Sequence, residues 1–256
     1  MDYPKRIITK GETDKKIVKA IQTQLNAKGC GPVAVDGDFG PGTVSAVKLF
    51  QTRNADSNGS QLKADGKIGA ITWSTLFGEE TVPVIDTTSS AMLQKVLEIA
   101  VSQIGVSEDP NNKNRGPEVD EYLRRAGLEP KGQHYSWCMA FVYWCFDEAA
   151  KSLGKKNPLV KTAGCLRQWN ETICPKVKMA DAKNNPSLVK PGFVFIIDHG
   201  KGNGHTGIVE SVNGGYLNTI EGNTSQAGSR EGTGVMRLSR RKIGDISKGF
   251  INAGKA

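Results

Sequence analysis

Histidine is scarce in this chain of 256 residues: His134, His199 and His205 are all there is. Any reaction that needs an imidazole must draw on these three, and a metal-dependent amidase, which consumes histidines as ligands, is disfavoured. Cysteine is also sparse and oddly placed. Cys30, Cys138, Cys145, Cys165 and Cys174 form an odd set without C-x-x-C spacing, which argues against a disulfide framework and against a cysteine zinc site. No stretch is apolar enough, for long enough, to span a bilayer. The opening "MDYPKRIITKGETDKK" has no apolar run and does not read as a secretory signal, so synthesis in the cytoplasm is expected. RNA-type aromatic signatures and finger spacings are missing, so nucleic acid is not the expected partner.

What is present is an ordinary globular balance, 38% hydrophobic and 23% charged residues, with a net charge of +8. Residues 1–80 carry 11 basic and 9 acidic side chains, a net +2; residues 81–256 carry 23 and 17, a net +6. The excess is densest in "RLSRRKIGDISKGF", a segment suited to an anionic envelope surface.

Residues 81–90, within the polar, proline-containing stretch "GEETVPVIDTTSS", read as a linker between a domain at 1–80 and another at 91–256. The first domain holds an internal near-repeat. "DGDFGPGTVS" (36–45) and "DGKIGAITWS" (65–74) share the frame D-G-x-x-G-x-x-T-x-S at an offset of 29 residues. An aspartate can bond the backbone amides of a tight turn, glycine accepts a positive φ, and Thr43 or Thr72 can start the helix that follows. Apolar helical faces come next: Val44, Val47 and Phe50, then Trp73, Leu76 and Phe77. Upstream, Ile17, Ile21 and Leu25 line one side of a further helix. Residues 12–78 resemble the peptidoglycan-binding type 1 family, through "LNAKGCGPVAVDGDFGPGTVSAVKLFQ" and "ADGKIGAITWSTLFG". The resemblance implies a small three-helix domain that binds bacterial peptidoglycan.

The second domain reads as helices first and an antiparallel sheet second, an α+β arrangement. Residues 89–105 form a capped helix with Leu93, Val96, Leu97, Ala100 and Ile104 toward a core. "GPEVDEYLRRAGL" and "SWCMAFVYWCFDEAAKSLG" are two more helices, and "GFVFIID" (192–198) is a buried strand. "TGIVESV" and "YLNTIEG" flank Asn213-Gly214-Gly215, a strong hairpin signal.

Cys138 stands at the N-terminal end of its helix, where unpaired amides and the helix dipole favour the thiolate, which is the reactive form. Phe141, Val142 and Cys145 follow on one apolar stripe, and Cys145, two turns deeper, reads as core. Cys165 and Cys174 are rivals for the nucleophile, but neither opens a clear apolar helix. A thiolate needs a base and the base an orienting group. His205 leads directly into the hairpin; pairing about its turn puts His205 opposite Asn223, give or take one residue, with Glu221 two residues earlier on the same face. Either Glu221 or Asn223 can hold the ring. His199 sits in a glycine-rich loop, and His134 reads as an exposed turn residue.

"YSWCMAFVYW", "GHTGIVESV" and "IEGNTS" make residues 91–256 similar to the CHAP family, the cysteine- and histidine-dependent amidohydrolases and peptidases, whose fold is papain-like. The resemblance implies Cys138 as nucleophile, His205 as base, Glu221 as its orienting group and Asn223 as a fourth polar position. Many relatives place an acidic residue after the Pro-Gly that precedes the first strand, where this chain has Phe193. The backbone amide of Cys138 is the natural first oxyanion donor, with Tyr135 or Gln133 as the second. Tyr135 and Trp137 are candidate substrate contacts, although a tryptophan beside a buried helix more often packs. Some relatives hold calcium near the nucleophile; "SEDPNNKNRGPEVDE" lacks the alternating carboxylates of such a loop, so no metal and no cofactor are expected.

The expected protein is a monomeric peptidoglycan hydrolase, an endolysin of a bacteriophage. It would wait in the host cytoplasm until a separate pore admits it to the wall, and cleave either a peptide–peptide or an N-acetylmuramoyl-L-alanine amide bond. The alternatives are a non-catalytic wall-binding protein and an antibacterial effector with the same chemistry.

Overall fold

The computed structural model describes residues 1–109, 113–225 and 232–254. Its residues fall into two compact units, Met1–Val84 with Lys183–Ser187 and Asn213–Gly215, and Ile85–Ala182 with Leu188–Val212 and Tyr216–Ala256.

The first unit is built on α1 (Lys15–Ala27), α2 (Pro41–Arg53) and α3 (Ala70–Phe77). The carboxylate of Asp14 caps α1 by accepting from the amides of Lys16 and Ile17, and the helix buries Ile17, Val18, Ile21 and Leu25. Val47 and Phe50 of α2 and Trp73 and Leu76 of α3 close the core. The repeat has a physical centre that its visible frame omits. The buried side chain of Gln22 donates to Asp36 Oδ1 (2.8 Å), the Asp38 carbonyl (3.0 Å) and Thr43 Oγ1 (3.1 Å), and accepts from the Gly37 amide (3.0 Å). Twenty-nine residues on, Gln51 repeats the set with Asp65, the Lys67 carbonyl, Thr72 and the Gly66 amide. Gly40 and Gly69 occupy the N-cap positions expected of the threonines; Thr43 and Thr72 sit inside the first turns of α2 and α3, where their hydroxyls meet the glutamines.

A two-residue strand, β1 (Val84–Ile85), falls at the junction of the units. In the second unit α4 (Ala91–Ser102), α5 (Pro117–Arg125), α6 (Cys138–Ser152) and α7 (Cys165–Glu171) accompany β2 (Lys176–Lys178), β3 (Val194–Gly200), β4 (Asn203–Asn213), β5 (Tyr216–Thr224), β6 (Gly234–Lys242) and β7 (Gly249–Ile251). The sheet runs in the order β2–β7–β3–β4–β5–β6, and its described ladders are antiparallel. Acidic residues open α5 and basic residues close it, matching the helix dipole. Helix α6 packs on α4, α5 and β5. That central place explains why it buries most of its circumference, Cys138 to Tyr143 included, instead of the single stripe expected. Ile104 departs from expectation as well: α4 stops at Ser102, and Ile104 beyond it is 37% exposed. Phe193 is buried at the entry to β3, with the Val209 amide donating to its carbonyl at 2.8 Å. No described helix is long and apolar enough to cross a membrane.

Candidate active site

Three elements converge at the start of α6. Cys138 is its first residue, and the Met139 amide reaches back to the sulfur. His205 lies on β4 with Ile197 of β3 as its register partner. Glu221 lies on β5, and its Oε2 is 2.7 Å from His205 Nε2. Gly207, two residues beyond His205 on the same strand face, makes that contact possible. A Cβ at 207 would fall 2.7 Å from Glu221 Cγ, so only a glycine lets the carboxylate pass over β4 to the ring. Gly222 does the same for the helix: a Cβ there would be 2.8 Å from Phe141 Cβ, and its absence seats α6 directly on β5.

The carboxylate of Glu221 is fully buried and fully engaged. Oε1 accepts from Thr219 Oγ1 (2.6 Å) and Arg241 Nε (2.8 Å), while Oε2 accepts from Arg241 Nη2 (2.8 Å) and His205 Nε2. Burial alone would raise its pKa, but the His205 ring and the Arg241 guanidinium hold it below the ordinary value. With Nε2 committed to Glu221, Nδ1 is the ring nitrogen left for the thiol, and it has no hydrogen-bond partner among the described residues within standard geometry. The thiol and ring nevertheless act on each other. Hydrogen bonding to Cys165, opposed by burial and joined by the contact with His205, pulls Cys138 well below the usual cysteine value. Burial works against a charged His205, yet Cys138 and Glu221 together raise it to about 9. The two shifts run in the direction that favours a thiolate beside an imidazolium.

The structure assigns the other candidates different places. Asn223 is buried with a φ of 55°, and its amide makes no hydrogen bond among the described residues, so the ring is held by Glu221 and not by Asn223. Trp137 corrects its candidacy as a substrate contact: it is 0% exposed, and its indole N–H donates to Glu108 Oε1 at 2.8 Å. Tyr135 is half-buried against the core, and Gln133 is exposed. His134 is exposed, with Nδ1 2.6 Å from the Lys113 carbonyl, and His199 is exposed at the end of β3. Cys145 is sealed in the core, where burial raises its pKa. Cys165 opens α7, a short helix of mostly polar sequence and not an apolar one, and its sulfur lies 3.5 Å from that of Cys138. In the segment "SEDPNNKNRGPEVDE", Glu108 turns inward to accept from the Trp137 indole and the Asn114 amide; Asn111 and Asn112 lie outside the described residues. No described group of histidines, cysteines and carboxylates could hold a metal. Within the basic segment Arg237 pairs with Glu210 and Lys248 with Asp198 at the surface, while Arg241 turns to the buried Glu221.

Sequence reasoning missed Thr219, Arg241, Gly207 and the role of Cys165. Gly207 in "GHTGIVESV", Thr219 in "YLNTIEG" and Arg241 in "RLSRRKIGDISKGF" all lay in segments singled out above, but nothing local marked their roles.

Residues 130–223 match the family model of the CHAP domain. The chain carries a CHAP domain. Residues 14–76 match the model of the putative peptidoglycan binding domain, so the CHAP domain follows a wall-binding one. No curated protein and no solved structure gives a match. Cys138, His205 and Glu221 all lie within the CHAP match, whereas Arg241 lies beyond it. A CHAP domain indicates cysteine- and histidine-dependent amidohydrolase or peptidase activity, and with the N-terminal domain it supports a peptidoglycan hydrolase.

Proposed function

We propose that the chain cleaves an amide bond of peptidoglycan with Cys138 as nucleophile, His205 as proton carrier and Glu221 as the group that orients it. One observation carries this reading: Glu221 holds His205 by Nε2, which leaves Nδ1 for a thiol whose pKa is depressed. Cys138 attacks the carbonyl carbon, and the oxyanion forms beside the Cys138 backbone amide at the start of α6. His205 delivers its proton to the leaving amine, and the amine departs. Water, deprotonated by the now neutral ring, then releases the acyl group and restores the thiol pair.

The bond is proposed to join two amino acids of the stem or bridge peptide, rather than muramic acid and alanine. Mass spectrometry of the fragments from purified wall decides between them, since new amino termini other than that of the muramic-linked alanine mark an endopeptidase. Cys138→Ser should fold, bind wall and fail to clear a suspension of permeabilised cells; clearance at the wild-type rate would remove the nucleophile. The biological setting we propose is a phage lysis protein. Expression in the cytoplasm should leave growth unaffected until the membrane is permeabilised, and lysis without permeabilisation would overturn that setting.

A further inference from the structure

We infer that Cys138 and Cys165 form a redox modification site, at which a hydroperoxide converts the nucleophile and its neighbour into a disulfide that a dithiol reverses. The inference rests on the hydrolase reading only for its consequence, the silencing of the enzyme; the sulfur chemistry stands by itself.

The observations concern geometry first. The two sulfurs are 3.5 Å apart, each at the first position of its helix, and both nearly buried. A disulfide needs about 2.05 Å, so the sulfurs must close by roughly 1.5 Å. Cys165 follows the turn in which Thr162 Oγ1 accepts from the Gly164 amide, and its Cβ lies against Gly204, the residue before His205. Cys165 therefore sits against β4 beside the base, aimed at the nucleophile. The other three cysteines lie elsewhere: Cys30 faces the Lys28 carbonyl, Cys174 the Pro158 carbonyl, and Cys145 is in the core. The electrostatics divide the labour. Cys165 keeps its proton, held up by its contact with Cys138 and by burial, while Cys138 gives up its own. A thiolate with a protonated thiol in contact is the arrangement of a peroxide-sensing and a resolving cysteine.

The chemistry balances with a hydroperoxide as oxidant. The Cys138 thiolate attacks the terminal oxygen; an S–O bond forms, the O–O bond breaks, and the departing alkoxide or hydroxide takes the proton of the His205 imidazolium. The Cys165 sulfur then attacks the Cys138 sulfur. An S–S bond forms, the S–O bond breaks, and the proton of the Cys165 thiol leaves with the hydroxide as water. Two electrons pass from the sulfurs to the peroxide. A dithiol reverses the outcome by two exchanges and is itself oxidised to a cyclic disulfide. The disulfide has no thiolate, so the hydrolase is silent while the sulfur is protected from irreversible oxidation to the sulfinic acid.

The test uses the full chain, reduced, then treated with stoichiometric hydrogen peroxide, alkylated and mapped by peptide mass spectrometry. We expect a linked peptide joining Cys138 to Cys165 that lacks two hydrogens. Clearance of permeabilised cells should fall in proportion to the linked fraction, and dithiothreitol should return both. In Cys165→Ser and Cys165→Ala, hydrogen peroxide in excess of two equivalents should give Cys138 carrying two oxygens, with no link and no recovery in dithiothreitol. Wild-type protein that accumulates the sulfinic acid without a link, or that links Cys138 to another cysteine, overturns the inference. The peptide map is read whether or not the reduced chain lyses cells, so a link formed in a chain without lytic activity would refute the hydrolase reading alone.

Discussion

The Nε2 of His205 and the Oε2 of Glu221 stand 2.7 Å apart between two neighbouring strands, the carboxylate fully buried and the ring 2% exposed. A buried carboxylate in such a place is costly unless every lone pair is met. Here Thr219 and Arg241 meet the rest, so Glu221 remains ionised and fixes the ring with Nδ1 free.

Replacing Glu221 by Gln keeps the shape and removes the charge. The ring then loses one of the two partners that lift its pKa, and a tautomer with the proton on Nδ1 becomes accessible. Wall clearance should drop about 10²–10⁴-fold, the range that positioned acid–base groups supply. Fragment binding by the N-terminal domain should be unchanged, measured by pull-down on purified wall. An unaltered clearance rate would show that Glu221 serves the fold only.

The pH profile follows from the same groups. His205 is raised to about 9, so the imidazolium that protonates the leaving amine persists to that pH, and activity should fall as pH rises through it. The acid limb lies where the thiolate of Cys138 is protonated, below the ordinary cysteine value. Because the ring's value in the fold exceeds the usual 6.5, its protonation stabilises the native state, fully below 6.5 and fading as pH passes through about 9. In Cys138→Ser the thiolate is gone, and an NMR titration should find the His205 value below 9; the same value as wild type would mean that thiol and ring do not interact.

How much of this was legible depended on the range of the interaction. The start of α6 and the hairpin were readable because each is local: a cysteine before an apolar periodic run, and Asn213-Gly214-Gly215 between two alternating segments. Register to within one residue brought His205 to both Glu221 and Asn223, and only side-chain packing over Gly207 chose the first. Arg241 was out of reach: the β5–β6 ladder shifts register between Leu217 and Thr219, so counting along the strands does not carry an arginine to Glu221. Cys165 is 27 residues from Cys138 and joins it only through tertiary packing. The glutamines were different. Gln22 and Gln51 share the repeat's own spacing and lay in plain view upstream of its visible frame.

Arg241 is a positioning residue, because it touches Glu221 and none of the reacting atoms. Arg241→Gln should destabilise the second unit by roughly 1–3 kcal/mol, the cost of leaving a buried acceptor short of its donors. A purely structural role would move the unfolding midpoint and leave the pH profile alone. We expect the profile to move as well. Arg241 holds the carboxylate below its ordinary value, so its loss raises the Glu221 pKa and brings in a protonated carboxyl at higher pH. Arg241→Lys restores the charge without the two-pronged geometry and should return part of the lost kcat. An acid limb identical in all three proteins would assign Arg241 to stability alone.

The two glutamines of the repeat should not be equivalent, although their partners are. Gln22 reaches its aspartate and threonine at 2.8 and 3.1 Å, whereas Gln51 reaches Asp65 and Thr72 at 3.4 and 3.5 Å. Both accept from a glycine amide in the turn, at 3.0 and 2.9 Å, so alanine at either site orphans a buried N–H. That shared loss sets a floor of roughly 1–3 kcal/mol for each substitution. The additional, shorter bonds of Gln22 place its cost above that of Gln51, since hydrogen bonds near 3.5 Å contribute little. The temperature at which the full chain lets go of purified wall reads the stability of this unit, and Gln22→Ala should lower it further than Gln51→Ala. The reverse order would mean that the turn after α2 depends on its glutamine more than the turn after α1 does, against the distances.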